Sequence, residues 1–201
     1  MVYKIIKALK HSEINIVNKY FPARYISKTN TYEPFPTLYW LECSKTDTTI
    51  ASMERLGLIS ELETRLNYDN VAKKLLKQQH LRYMHERNKL LYDKELKSKL
   101  SLNISDESVK WLHNAQGMKG IGGIDISNIF TYTYNNSWND TNNVNNCDNS
   151  EKLHIKCLHT HYAHHLFTND NVIGKWVEEI INKEERTRYN KRINSSIKIY
   201  Y

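Results

Sequence analysis

Residues 35–43, FPTLYWLEC, are the stretch of sequence that decides the fold. The run at 37–41 is almost wholly apolar, is entered through two prolines and is followed closely by Cys43. A short apolar run bounded by such breaks is typical of a buried β-strand. The sequence therefore predicts a buried strand that delivers Cys43 to one end of a sheet.

The residues before this strand supply the rest of a small sheet. Residues 14–20 and 24–27 predict two further strands, separated by a break at Phe21 and Pro22. Residues 2–9 predict a short helix. Together these patterns predict about three strands near the N-terminus.

Helical patterns dominate the rest of the chain. The longest predicted helix approaches 25 residues, and Asp69 or Asn70 can cap its start. Its inward face carries Ala72, Leu76, His80, Tyr83, Arg87 and Leu91. The other helices are expected in a segment ending at 56 and at 59–66, 105–113, 153–167 and 172–182. The expected fold class is α+β, a small antiparallel sheet of about three strands covered by five or six helices.

Length and composition predict one domain. A chain of 201 residues with 40% hydrophobic residues can enclose a single core, which we expect to span residues 1–182. The Asn-rich segment at about 135–150 predicts a mobile insertion, because it has few large apolar residues. Residues 183–201 predict a basic C-terminal tail.

Charge and targeting signals narrow the class of protein. Lys and Arg number 29 against 22 acidic residues, and the formal charge of +7 favours phosphate-bearing partners or simple solubility. No window approaches the roughly 18 apolar residues of a membrane-spanning helix, and no signal peptide is recognisable. We expect a cytoplasmic protein without a membrane partner, with organelle import as the alternative. Three scattered cysteines indicate reduced thiols or metal ligands rather than a disulfide framework.

Two sequence blocks resemble a known family. Residues 35–43 look like the signature FPTLYYLTC of the bacterial family named domain of unknown function 501, and residues 155–164, IKCLHTHYAH, resemble its VKCLHAxxAH segment. The similarity spans roughly 13–175. Near its end, the family's NPxG has Val172 in place of proline. Because the family has no established activity, the resemblance implies a shared fold and site, and no reaction.

Five potential metal ligands lie within nine residues of the second block. They are Cys157, His159, His161, His164 and His165. On a helix, the residues at 157, 161 and 164 share one face. His159 can turn toward that face if the helix begins only after Cys157.

Zinc is the cofactor that this composition favours, because thiolate and imidazole are its preferred ligands. The predicted zinc set is Cys43, Cys157, His159 and His164. Two other interpretations remain open. Cys157 can be a catalytic thiol activated by a nearby imidazole, or the cysteines and histidines can be structural core residues.

The long helix adds a second polar group. His80, Tyr83 and Arg87 lie on its inward face, where polar side chains need partners. Arg87 could bind a phosphate or carboxylate while His80 moves a proton, so both join Cys157 as catalytic candidates. The alternative is a buried hydrogen-bond network.

A glycine cluster at 117–123 includes the pair Gly122 and Gly123. Its backbone N–H groups could bind a phosphate, but no Walker lysine follows, and a flexible hinge is the alternative.

The combined hypothesis is a protein with a Cys/His pocket, either metal-binding or a thiol-dependent enzyme acting on a phosphate-bearing ligand. Whether it is an enzyme stays open. A noncatalytic module that binds RNA through its basic surface is the alternative.

Overall fold

The computed structural model describes residues 2–10, 16–127 and 152–197 of the chain. The Asn-rich segment at 135–150, which contains Cys147, lies outside those ranges. Its predicted mobility therefore stays a prediction.

The described residues contain five strands. They are β1 Ile5–Lys10, β2 Ile16–Tyr20, β3 Ala23–Ile26, β4 Thr31–Pro34 and β5 Tyr39–Glu42. Strands β1, β2 and β5 form the predicted small antiparallel sheet in that order, and β3 and β4 form a separate hairpin. Strand β5 lies within the predicted stretch 35–43. Val17 and Tyr39 are buried on the sheet's inner face.

The helix predicted at 2–9 is wrong, because most of those residues belong to β1, in which Leu9 pairs with Val17. Pairing with β2 provides hydrogen bonds that outweigh the weak helical spacing of the apolar residues. Strand β4 was not predicted. It follows a tight turn in which Asn30 takes a left-handed conformation with φ of 54°. The turn contains no glycine, so the usual sequence signal of a hairpin turn was missing.

The same described residues contain seven α-helices. They are α1 Ser44–Arg55, α2 Leu58–Tyr68, α3 Asn70–Tyr92, α4 Lys94–Lys99, α5 Asp106–Gln116, α6 Leu158–Thr168 and α7 Val172–Ile197. A short 3-10 turn, Ile121–Gly123, lies between α5 and α6. The α+β class is confirmed.

Side-chain caps define the helix boundaries. Asp69 accepts hydrogen bonds from the N–H groups of Val71 and Ala72 at the start of α3, as the sequence predicts. Asp93 ends α3 in an extended conformation, and its side chain accepts a bond from Leu96 N–H to cap α4. All six predicted inward residues of α3 are buried.

The last two helices differ from prediction at one end each. Helix α6 begins at Leu158 rather than at 153, because residues 152–157 are extended. In this segment the side chains of Leu153 and Ile155 are buried and their neighbours are exposed, which is the alternation of an extended chain. Helix α7 continues to Ile197, so most of the predicted basic tail is helical.

Helix α6 lies at the centre of the domain. Its inner face packs on β5, where Phe167 and His164 contact the ring of Tyr39. Its other side packs closely on α7, where Gly174 faces the backbone of His161. No helix within the described ranges is long and apolar enough to cross a membrane.

Candidate functional site

The first turn of α6 meets α1. Cys157 is the residue before α6 and has an extended backbone, with φ of −156° and ψ of 123°. The next residue, Leu158, donates its N–H to Oε1 of Glu54 over 2.7 Å. Glu54 lies in the last turn of α1, so its carboxylate joins the two helices beside the Cys157 thiol.

His159 is held at both ring nitrogens. Its Nδ1 lies 3.9 Å from Sγ of Cys157 and 3.3 Å from Oε1 of Glu54. Its Nε2 lies 3.1 Å from the carbonyl oxygen of Asp47 and 3.3 Å from Oδ1 of the same residue. The imidazole therefore has a defined orientation between the two helices.

Glu54, Cys157 and His159 form a compact set of potential ligands. Their ligand atoms all lie within 4.8 Å of one another, and all three residues are half-buried. Within the described ranges, no other group of three His, Cys, Asp or Glu side chains meets that spacing. Zinc bonds of about 2.0 to 2.3 Å at the tetrahedral angle separate ligand atoms by about 3.3 to 3.6 Å, close to the distances observed.

The thiol and the imidazole shift each other's protonation. Burial raises the pKa of Cys157, but hydrogen bonds from His159 and from the backbone and hydroxyl of Thr160 outweigh that effect and lower it. The hydrogen bond with Cys157 raises the pKa of His159 to about 9, and the Asp47 carbonyl and Glu54 carboxylate act in the same direction. Without a metal, the arrangement favours a thiolate beside an imidazolium.

The structure brings two of the four predicted zinc ligands, Cys157 and His159, together. Cys43 caps α1, where its Sγ accepts a bond from Thr46 N–H over 3.5 Å, and it does not join the compact set. His164 faces the core on the opposite side of α6, where it stacks on Tyr39. The third member of the compact set is instead the carboxylate of Glu54.

The inner face of α6 forms a separate, buried histidine cluster. Asn171 bridges it, with Oδ1 3.2 Å from Nδ1 of His161 and Nδ2 2.9 Å from Nδ1 of His164. His80 of α3 lies against His161, with ring centroids 6.1 Å apart. Burial lowers the pKa of His161 to about 4 and of His164 to about 3, and it lowers the pKa of His80 well below its usual value. These three rings are neutral at pH 7.

The polar residues of α3 form hydrogen bonds to backbone groups of neighbouring loops. His80 Nδ1 accepts a bond from Ile121 N–H over 3.0 Å. Tyr83 accepts a bond from Leu38 N–H and donates to the Pro36 carbonyl. These contacts match the alternative of a buried hydrogen-bond network.

Arg87 has no exposed surface, and its guanidinium donates to three backbone carbonyls. The carbonyls belong to Gln116, Gly117 and Lys119 at the end of α5. These contacts hold the segment at 116–119 against α3, and a role of Arg87 in binding a phosphate or carboxylate stays a prediction.

Gly122 and Gly123 both take left-handed conformations, with φ of 73° and 70°. A Cβ atom at Gly122 would lie 3.7 Å from Cβ of Lys156, the residue before Cys157, so the glycine turn passes alongside the start of α6. Other residues fit these φ values only with strain.

The sequence matches the profile of a known protein family. The profile of a family described as "Protein of unknown function (DUF501)" matches residues 12–179, most of the chain. The chain belongs to the DUF501 family. No curated protein and no solved structure shows significant similarity to it.

The DUF501 match includes all the residues of the compact set and leaves most of α7 outside. Asp47 and Glu54 are the site residues that sequence reasoning missed. Glu54 joins the compact set only through a contact with α6 more than 100 residues away in the sequence.

Proposed function

We propose that this DUF501 protein binds a zinc ion through Glu54, Cys157 and His159. The observation that carries the proposal is the convergence of three different ligand types within 4.8 Å. Carboxylate, thiolate and imidazole all bind zinc, and the thiolate disfavours the hard cations magnesium and calcium.

The surroundings of the three ligands support the same proposal. A metal-bound histidine usually donates its second ring N–H to a carbonyl or carboxylate, and Nε2 of His159 has the Asp47 carbonyl 3.1 Å away. The Glu54 carboxylate is likewise fixed by the N–H of Leu158. Both contacts orient the ligands before a metal arrives.

Three protein ligands leave one tetrahedral position open, which is the pattern of catalytic rather than structural zinc. Zinc in such a position lowers the pKa of a bound water and polarises a substrate oxygen. Side chains of His159 and Glu54 remain 23% and 24% exposed, so solvent and small molecules can reach them.

A phosphate-bearing ligand is the substrate class that we favour. Helices α1 and α6 begin near each other, since the first-turn residues Asp47 and His159 are in contact. Helix N-termini attract anions through their free N–H groups and dipoles. The net charge of +7 adds a long-range attraction for anions.

Metal analysis of purified protein tests the zinc site. After incubation with zinc and removal of excess metal, the wild-type chain should retain about one equivalent. Cys157→Ser and Glu54→Gln should lose it. Gln keeps an oxygen that can accept from Leu158, so this variant separates metal binding from helix capping.

Cys43→Ser is the matched control, because Cys43 also caps a helix but lies outside the ligand set. It should retain zinc. A wild-type protein without stoichiometric metal, or equal loss of zinc in the control, would refute the site.

A thiol-dependent enzyme is the second candidate, favoured by the lowered pKa of Cys157 beside the raised pKa of His159. This candidate predicts rapid alkylation of Cys157 by iodoacetamide below pH 8, slowed by His159→Gln. It also predicts that added zinc leaves the alkylation rate unchanged, whereas the zinc site predicts protection.

A further inference from the structure

A groove of about 1110 Å³ lies between the β3–β4 hairpin and the start of α5, and it shares no residue with the zinc site. Its aromatic lining is Tyr25, Tyr32 and Trp111, and its polar lining includes Asn30, Asn103 and Ser105. The Trp111 side chain is the most exposed of the described tryptophans, at 53%. An aromatic groove that is open to solvent is a typical recognition surface.

The size and exposure of the groove favour a chain segment over a small molecule. Pockets for small ligands usually measure about 300 to 1,000 Å³ and enclose most of the ligand. This groove is slightly larger, and its polar residues Asn30, Asn103 and Ser105 are exposed. It can therefore hold an extended segment whose two ends continue into solvent.

The charges of the groove disfavour a polyanion. The Glu33 carboxylate is paired with the Arg24 guanidinium at 2.8 Å, and Lys4 and Glu107 carry one charge of each sign. Although the whole chain has a charge of +7, the groove itself has no excess of positive charge. It matches a nearly neutral segment better than a nucleic-acid backbone.

We propose that this groove binds an extended proline-rich segment of a partner protein. Tyrosine and tryptophan rings receive the proline rings of a polyproline II helix, whose carbonyls have no internal hydrogen-bond partners. Tyr25 and Tyr32 form a tilted pair, with ring centroids 5.3 Å apart, and Trp111 of α5 lines the same groove. A basic residue beside the prolines would pair with Glu107.

The probe is an end-capped peptide of eight prolines followed by one arginine, titrated into the full chain by isothermal calorimetry. We expect saturable binding that Trp111→Ala weakens at least about tenfold, because buried aromatic anchors dominate such interfaces. Trp40→Ala is the matched control, since Trp40 is similarly exposed, at 46%, but lies outside the groove. It should change the affinity less than about twofold.

A glycine–serine peptide of equal length with the same terminal arginine should not bind. Absence of proline-peptide binding at millimolar concentration would overturn the proposal, as would equal effects of the two tryptophan variants. A uridine decamer that binds in a Trp111-dependent manner and displaces the peptide would also overturn it, because the groove would then be a base-stacking surface.

Discussion

Acidification from pH 6.5 to 5 should unfold this protein, because three histidines are buried without charge. His80 and His161 are each 1% exposed, and His164 is 4% exposed. Their folded-state pKa values are lowered by burial, to about 4 for His161 and about 3 for His164. In the unfolded chain, each ring titrates near pH 6.5.

The sign of the effect follows from which state binds the protons. Above pH 6.5 the rings are neutral in both states and cost nothing. Below pH 6.5 the unfolded chain binds three protons that the folded protein excludes, and each ring removes about 1.4 kcal/mol of stability per pH unit. The unfolded rings are already half-protonated at pH 6.5, so lowering the pH from 6.5 to 5 removes about 5 kcal/mol, comparable to the whole stability of many domains.

His159 acts in the opposite direction on the metal-free protein. Its pKa is raised to about 9, mainly by the hydrogen bond with Cys157, so its contribution is fully present below pH 6.5 and is lost as the pH rises through 9. The lowered pKa of Cys157 offsets part of this loss, because it favours the folded state as the pH rises. The buried histidines therefore determine the acid side of the stability profile.

Urea denaturation of metal-free protein at half-unit pH steps measures this profile. The slope of unfolding free energy below pH 6.5 should correspond to at least three protons in the wild type, because burial also lowers the pKa of His85 and His113, and should fall by about one proton in His164→Gln. His154→Gln, at an exposed histidine, should keep the wild-type slope. A loss of less than about 2 kcal/mol between pH 6.5 and 5 would refute the assignment of three neutral rings.

Three further outcomes are expected. Gly174→Ala should cost at least about 3 kcal/mol in urea denaturation because its Cβ would overlap the backbone of His161, whereas Gly57→Ala, with φ of 92° and open space around it, should cost about 1 kcal/mol. Arg87→Lys should cost about 2 to 3 kcal/mol, because one ammonium cannot serve the three buried carbonyls; an unchanged unfolding midpoint would contradict this reasoning. Zinc affinity, measured by chelator competition, should rise about tenfold per pH unit between pH 6.5 and 8.5, because zinc must displace the proton of His159 in this range. An affinity that does not change with pH would contradict the role of that ring.

The fold was predictable where local rules decide the structure. Asp69 caps α3, and Leu38 and Tyr39 of the apolar run are buried although Trp40 is exposed, since capping and hydrophobic periodicity act within a few residues. The N-terminal strand β1 was mistaken for a helix because its partner β2 lies farther along the chain. Local patterns carry no information about which partner a strand will find.

The candidate site was predictable only in part. The density of ligands near 157 identified Cys157 and His159, whereas Glu54 and Asp47 enter through the packing of α1 against α6. Cys43 and Cys157 were both predicted as zinc ligands, because thiolates are preferred ligands of zinc. The fold uses the sulfur of Cys43 as a cap instead.

Helix geometry explains why His159 separates from the other histidines of α6. At about 100° per residue, His161 and His164 lie about 60° apart around the axis, whereas His159 lies about 140° or more from either. One helix therefore presents His159 to the proposed zinc site and the rings of His161 and His164 to the core. This division predicts separable effects: His159→Gln should abolish zinc retention and leave the acid-unfolding slope unchanged, and His164→Gln should reduce that slope and leave zinc retention intact. If either variant altered both measurements equally, the two histidine groups would be one functional unit.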